Sequence, residues 1–337
     1  MEIAGSNSFS VVLPVRNGGS YIKECVASVL SQSFRNFNLI VLDNASTDDT
    51  VAWLETLKDP RIIIYPSATS LTIEQNWGRI KTVTRNKFMI ITGHDDIMHP
   101  DYLEVMDELI RKHPTASLYQ SHFNFIDEYG AITRACKPMQ EVQSAADFFR
   151  ETLENGGGFV IRSADYDAVG GIPEYPNLFF SDFVLWMELS RISYKATTPV
   201  NAFSYRVHSR NTTATSADDK YHAAFERFVD YLYALKTKDA QLNDAINTHS
   251  RNLISIYCKG LSHRLLRTPL EKRNNLTVSQ LAKRYKAYAD KLIDNNTFDP
   301  SAIPGVRLAR IIDSNPVTRN LFLLFKKVFP KPIGKSV

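Results

Sequence analysis

Two adjacent carboxylates, Asp95 and Asp96, close an apolar run in FMIITGHDDIMHPDYLEVMDEL, residues 88–109, and a Pro100-initiated amphipathic segment follows. The pattern reads as a buried strand delivering acids to its exposed end, where open α/β sheets bind ligands beyond the strand tips. Paired carboxylates there suit a hard cation such as Mg²⁺ or Mn²⁺, which shares its coordination with substrate phosphates. The alternative is a solvated pair favoured by the dipole of the next helix. Three other positions carry comparable chemistry. Asp43 closes the apolar run FNLIVLD, Asp182 opens the helical segment SDFVLWMEL, and His208 stands between Arg206 and Arg210 in FSYRVHSRNTT. A carboxylate at a helix start is either a cap or a rigidly held general base. A histidine flanked by arginines in a Ser/Thr/Asn loop suits a phosphate or a metal.

The elements that must position these groups follow from periodicity. FSVVLPV, residues 9–15, is a continuous β-branched strand closed by Asn17, Gly18 and Gly19. Ser20 is placed to cap a helix whose buried face is Ile22, Val26, Val29 and Leu30. FNLIVLD is the second strand, and Ser46 with Asp49 has capping-box spacing ahead of Val51, Leu54 and Leu57. RIIIYP, a helix carrying Ile73, Trp77 and Ile80, and FMIIT continue the alternation. Strand and helix in turn predict right-handed βαβ units and a largely parallel, doubly wound sheet. Asn17, Asp43 and Asp95 then share one rim, wide enough for a nucleotide.

Beyond residue 113 the order changes. SLYQSHFNFIDEYGAI alternates and turns at Tyr129 and Gly130, as a hairpin does, and a helix is expected from Asp147 to Leu153. Gly156, Gly157 and Gly158 precede a short strand and suit a loop or a close approach by a ligand or another backbone. Phe183, Trp186, Met187 and Ile192 are core candidates of the helix after Asp182. From about residue 217 a helical region begins, with Phe225, Phe228, Leu232 and Leu235 on one face. The expected domains are therefore 1–216 and 217–337.

Composition narrows the function classes. With 337 residues, 44% hydrophobic and 23% charged, the chain is an ordinary globular protein. Three cysteines far apart fit neither a disulfide framework nor a thiolate metal cluster. The N-terminus lacks a basic segment followed by an apolar run, and no stretch reaches the roughly 18 to 20 apolar residues that span a bilayer, so a cytoplasmic location is expected. Of the net charge of +4, residues 306–337 contribute +6, which leaves the body at −2 and argues against nucleic acid as a partner. That basic, leucine- and phenylalanine-rich tail suits an anionic membrane surface or a helix docked on the protein's own core.

In order along the chain, SVVLPVRNGGSYIKECVASVLSQSF, VLDNASTDDT, ITGHDDIMHPDYLE and SDFVLWMEL resemble the successive motifs of family 2 glycosyltransferases over residues 9–213. The resemblance implies a GT-A fold, a mixed, mostly parallel Rossmann-like sheet flanked by helices, here with a C-terminal helical appendage. It implies an inverting enzyme that uses a nucleotide-sugar donor, UDP-linked, together with Mn²⁺ or Mg²⁺. By matching motifs, Pro14, Val15, Arg16, Asn17, Asp43, Asn76 and Asp95 would bind the donor, Asp96 and His208 the metal, and Asp182 would be the catalytic base. Gly93 stands where many members carry a further acid, Ser181 where a glutamate often precedes the base, and Arg16 where an aromatic or small residue is common. No Q-x-x-R-W segment follows Asp182, which favours single addition over processive synthesis.

The residues support that chemistry independently. A nucleoside diphosphate leaves readily once its charge is neutralised, so acids for a cation and a base for the nucleophile suffice. The tail points to a lipid-linked glycan acceptor in surface polysaccharide assembly. A sugar nucleotidyltransferase would want a richer glycine and basic loop than VRNGGSYIKE, and a dinucleotide dehydrogenase would want G-x-G-x-x-G after the first strand. A carbohydrate- or partner-binding protein on a degenerate transferase fold is the non-enzymatic alternative.

Overall fold

The computed structural model describes residues 7–150, 156–208, 218–268, 273 and 276–329. The chain divides into two compact units, Met1–Asn211 and Thr212–Val337.

The first unit is built on one sheet. Its strands are β1 (Phe9–Val15), β2 (Phe37–Asp43), β3 (Ile62–Pro66), β4 (Phe88–Ile91), β5 (Ile97–Met98), β6 (Leu118–Ile126), β7 (Ile132–Ala135), β8 (Val142–Gln143), β9 (Phe159–Arg162) and β10 (Lys195–Arg206). They run in the order β3-β2-β1-β4-β9-β6-β10-β5, with β7 on β6 and β8 on β10. Pairings among β1 to β4 and between β6 and β10 are parallel, whereas β9 lies antiparallel to both β4 and β6. The sheet is thus mixed and mostly parallel, as the GT-A resemblance implies. All seven residues of β1 are buried, which is why that strand reads as an unbroken apolar run rather than an alternating one.

Helices α1 (Tyr21–Leu30), α2 (Thr50–Thr56), α3 (Ile73–Gly78) and α4 (Tyr102–Lys112) follow the early strands, and α5 (Ala145–Arg150), α6 (Ser163–Ala168) and α7 (Ser181–Ile192) the later ones. The expected caps are redistributed. Neither Ser20 nor Asp49 makes a side-chain cap bond, and the Ser46 hydroxyl instead accepts from Asn17 N, in the loop after β1, at 2.9 Å. The capping box sits instead on α3, between Thr72 and Gln75. Gly156, Gly157 and Gly158 admit aromatic rings rather than a second backbone. A Cβ on Gly156 would stand 2.2 Å from the Phe123 ring, and one on Gly158, whose φ is +76°, would stand 2.7 Å from Phe203.

The second unit is helical, as expected. It contains α8 (Asp218–Lys236), α9 (Ala240–Arg267), α10 (Val278–Leu292), α11 (Pro304–Asp313) and α12 (Pro316–Val328). Its core centres on Phe225, which stacks on Tyr285 with ring centroids 5.0 Å apart. A buried pair, Arg273 with Asp313 at 2.6 Å, ties the start of α10 to the end of α11, since Asp313 also accepts from Val278 N.

One side chain ties distant parts of the first unit together. β10 pairs with β5 at Phe203–Met98 and Ser204–Ile97, which sets the next residues of β10 beside Asp95 and Asp96. Arg206, 1% exposed, donates from Nε to Asp95 O at 2.8 Å, from Nη1 to Asp127 O and Glu128 O at 3.2 Å each, and from Nη2 to Glu24 Oε2 at 2.6 Å. Its guanidinium lies 4.8 Å from the Tyr21 ring centroid. The acidic loop, α1 and the β6–β7 turn therefore share one donor fork. Arg206→Lys keeps the charge but cannot reach all four acceptors. It is expected to cost about 1–3 kcal/mol, the price of buried carbonyls left unpaired, read as a lower urea midpoint with unchanged secondary structure.

Candidate active site

The parallel register brings three strand tips to one edge. Val15 of β1 lies beside Asp43 of β2, and Val12 beside Ile91 of β4, so the acidic loop leaves the sheet where the β1 and β2 loops do. Pro14 and Val15 are buried, whereas Arg16 and Asn17 are exposed, and Arg16 pairs with the Ser70 hydroxyl. The loops after β1 and β2 are zipped together. Thr47 N donates to Asn17 Oδ1 at 2.8 Å, Gly18 N to Thr50 Oγ1 at 2.9 Å and Gly19 N to Asp48 Oδ2 at 3.2 Å. Asn17 holds a left-handed φ of +53° within this zipper, a conformation asparagine tolerates better than most residues.

Asp43 is 3% exposed, and both its carboxylate oxygens accept from Ser46 N at 3.3 Å. Asn76 lies behind the strand rather than on its open tip. Its Nδ2 donates to Leu42 O at 3.2 Å, and its Oδ1 accepts from Arg79 at 2.9 Å. Arg79 also donates to Asp43 O at 2.8 Å and Tyr65 O at 2.6 Å, so it clamps the ends of β2 and β3. Nothing in the sequence around Arg79 marks that role.

The two acids of the GHDD loop have different surroundings. Asp95 Oδ2 pairs with His208 Nε2 at 3.0 Å, and the His208 ring lies 5.0 Å from that of Tyr21. Asp96 is 5% exposed and its Oδ1 accepts from Arg206 N at 3.0 Å. Burial, followed by repulsion from Asp95, holds the Asp96 carboxyl well above the usual carboxylate range. Burial also depresses the neighbouring His94, against the opposing pull of Asp95. Gly93 is explained by the same crowding. A Cβ there would fall 2.5 Å from Asp95 Oδ1 and 3.4 Å from Asp96 Oδ2, and a Cβ on Gly157 would fall 3.2 Å from Asp96 Oδ2. Arg206 is turned inward to its backbone acceptors and Glu24, so it flanks His208 in sequence without sharing its surroundings. Arg210 lies outside the described residues.

Among the described residues, no three His, Cys, Asp or Glu side chains are grouped to hold a metal by themselves. A cation that shares its coordination with substrate phosphates needs only one or two protein carboxylates. Asp95 and Asp96 suit that arrangement, because two like charges held close under burial are relieved by a cation.

Asp182 stands in the first turn of α7. It is exposed to solvent, yet the protein packed around it raises its carboxyl from the ordinary range to about 6, against the stabilising hydrogen bond from Phe183 N. Phe183 N donates to Asp182 Oδ1 at 2.7 Å. The approach to α7 is strained. Asn177, Leu178 and Phe180 all have left-handed φ, at +54°, +58° and +65°, and such conformations persist only where the surroundings impose them. Asn177 N is held by Glu74 Oε1 at 2.6 Å, and the buried Ser181 accepts from Tyr175 N at 3.3 Å. Tyr205 links the acids. Burial first, then the charges of Asp96, Asp95 and Asp182, raise its phenol. The YRVH segment signals Tyr205 only weakly, since an aromatic residue near a strand end is ordinarily core.

Residues 10–170 match the model of Glycosyl transferase family 2. An uncharacterized glycosyltransferase of Rickettsia prowazekii is 23% identical over 248 residues, covering 71% of this chain and 76% of that protein. Another from Haemophilus influenzae is 25% identical over 220 residues, covering 61% and 67%. Among solved structures, residues 1–349 of S. aureus TarS share the fold at a TM-score of 0.61 and 14% identity, covering 98% of this chain and 99% of that one. The same TarS fragment in complex with UDP-GlcNAc superposes at 0.57 and 14% identity, covering 90% and 91%. The match over residues 10–170, with glycosyltransferase relatives aligned over 61–71% of the chain, identifies residues 10–170 as a family 2 glycosyltransferase domain.

Proposed function

We propose that the enzyme moves a single sugar from a nucleoside-diphosphate donor, UDP-linked, to an acceptor hydroxyl, with Asp182 as general base and inversion at the anomeric carbon. The observation that carries this reading is the placement of Asp182, in the first turn of α7 behind the left-handed residues Asn177, Leu178 and Phe180, with a carboxyl that desolvation raises to about 6. A base of that strength is ionised at neutral pH yet basic enough to take a hydroxyl proton in the transition state. Asp182 accepts the proton as the acceptor oxygen attacks. The new C–O bond forms as the bond to the diphosphate oxygen breaks, and a single displacement inverts the centre.

Pro14, Val15, Arg16, Asn17 and Asp43 frame the nucleotide end of the donor, and Asp95 faces its diphosphate. Asn76 shapes that pocket from behind through Leu42 O and Arg79. Mn²⁺ or Mg²⁺ would be held by Asp96, with Asp95 and His208 beside it, and when bound it neutralises charge on the departing diphosphate. The UDP and UDP-GlcNAc complexes of TarS support a uridine donor. A lipid-linked glycan is the acceptor class that fits the apolar, basic C-terminal helices.

Asp182→Asn is expected to lower transfer by about 10² to 10⁴-fold, the usual worth of general-base assistance, while the thermal shift produced by UDP stays as in wild type. Unchanged turnover would assign the base elsewhere. Because Asp182 must be ionised, wild-type turnover should climb with pH through about 6 and then level off, and that limb should vanish in Asp182→Asn. Tyr205→Phe removes a hydroxyl that feels the charge of all three acids. It is expected to lower kcat/KM with little change in melting temperature, which initial-rate kinetics and a melt would read.

A further inference from the structure

The last helix is packed the opposite way from a core helix. On α12 the buried side chain is Arg319, whose Nη2 donates to Thr268 O at 2.7 Å. Val317, Leu321, Leu324, Phe325 and Val328, and Phe329 just beyond, are 54–65% exposed. Their spacing places them along one side of the helix. α11 adds Leu308 and Ile311, at 57% and 61% exposed, while its Val306 and Ala309 face inward. Elsewhere, exposed large apolar residues are scattered along the described chain, as is normal for a protein surface. Here eight fall within 22 residues, 308–329.

The charges around this face have one sign. Arg307, Arg310, Lys326 and Lys327 lie on the same two helices, and their single acid, Asp313, is neutralised internally by Arg273. Lys331 and Lys335 follow in the sequence, outside the described residues. A second copy of the chain would bring like charges together on closing over this face. An anionic bilayer would offset them while taking up the leucines and phenylalanines. No helix among the described residues is long and apolar enough to cross a membrane, and 13 residues of α12 extend about 20 Å against a hydrocarbon core of about 30 Å. The geometry points to α11 and α12 as an interfacial docking surface for an anionic lipid bilayer, with Leu308, Ile311, Leu321, Leu324, Phe325 and Phe329 entering the headgroup boundary.

Flotation of the full chain with phosphatidylcholine vesicles, and with vesicles also containing phosphatidylglycerol, tests this. The wild type should float with the anionic vesicles, less so as salt is raised, and not with phosphatidylcholine alone. Leu321→Glu with Phe325→Glu should abolish flotation, and Lys326→Glu with Lys327→Glu should weaken partitioning on the order of twenty-fold, from about fivefold per basic residue at an anionic surface. Circular dichroism and the UDP-induced thermal shift of both variants should match wild type, so that loss of flotation reports the surface and not the fold. Failure of the wild type to float with anionic vesicles, or undiminished flotation of the Leu321/Phe325 variant, overturns the proposal. A wild-type dimer in light scattering that the same variant splits, without vesicle binding, would assign the face to a second copy instead.

Discussion

The fork of Arg206 is the constraint on which the acidic edge depends. Its main-chain N–H binds Asp96, its Nε binds the carbonyl of Asp95, and its two terminal nitrogens reach α1 and the β6–β7 turn. Two carboxylates side by side repel, and within the GHDD loop it is the Gly93 main-chain N–H that eases the Asp96 charge. A buried arginine whose donors are already occupied fixes the loop from behind without lending its charge wholly to either acid. A cation bound at the pair would still lower the energy of the ionised form.

What was legible in the sequence follows from which signals are local. Continuous apolar runs ending in a polar residue gave the tips of β1, β2 and β4, and the alternation with helices gave their parallel order, so Asp43, Asp95 and Asp96 could be set on one rim. Asp182 could be placed at the start of α7 because an apolar helical run follows it directly. Positions whose meaning depends on a distant partner were not legible. Ser46 has the spacing of a helix cap, but the nearby Asn17 amide competes for its hydroxyl. Arg206 reads as a loop cation until β5 pairs with β10 and draws it inside. Asn76 sits on the expected helix, yet whether its amide faces the donor or the back of β2 is decided by Leu42 O and Arg79. Gly93 looks like a missing acid from its motif and like a steric requirement from the packing around Asp95.

The C-terminal helices show the same limit from another side. An amphipathic pattern specifies that a helix has an apolar face, and it is silent on whether that face turns inward. On α12 the answer comes from the polar side, because Arg319 is tied to the end of α9 and leaves the leucines outside. The nearly neutral body and the basic tail therefore present two surfaces of different charge, with different proposed partners.

The zipper between the loops after β1 and β2 bears on the thermodynamics of binding. Three backbone N–H groups of Asn17, Gly18 and Gly19 are already committed to Ser46, Thr50 and Asp48 before any nucleotide arrives. Ordering a loop at the moment of binding consumes part of the contact energy. Two loops that are ordered by each other have spent that entropy during folding. The two loops therefore act as one body, and under the donor assignment proposed above a substitution at Thr50 or Asp48, neither of which is among the residues assigned to the donor, weakens binding by loosening the wall and not by removing a contact.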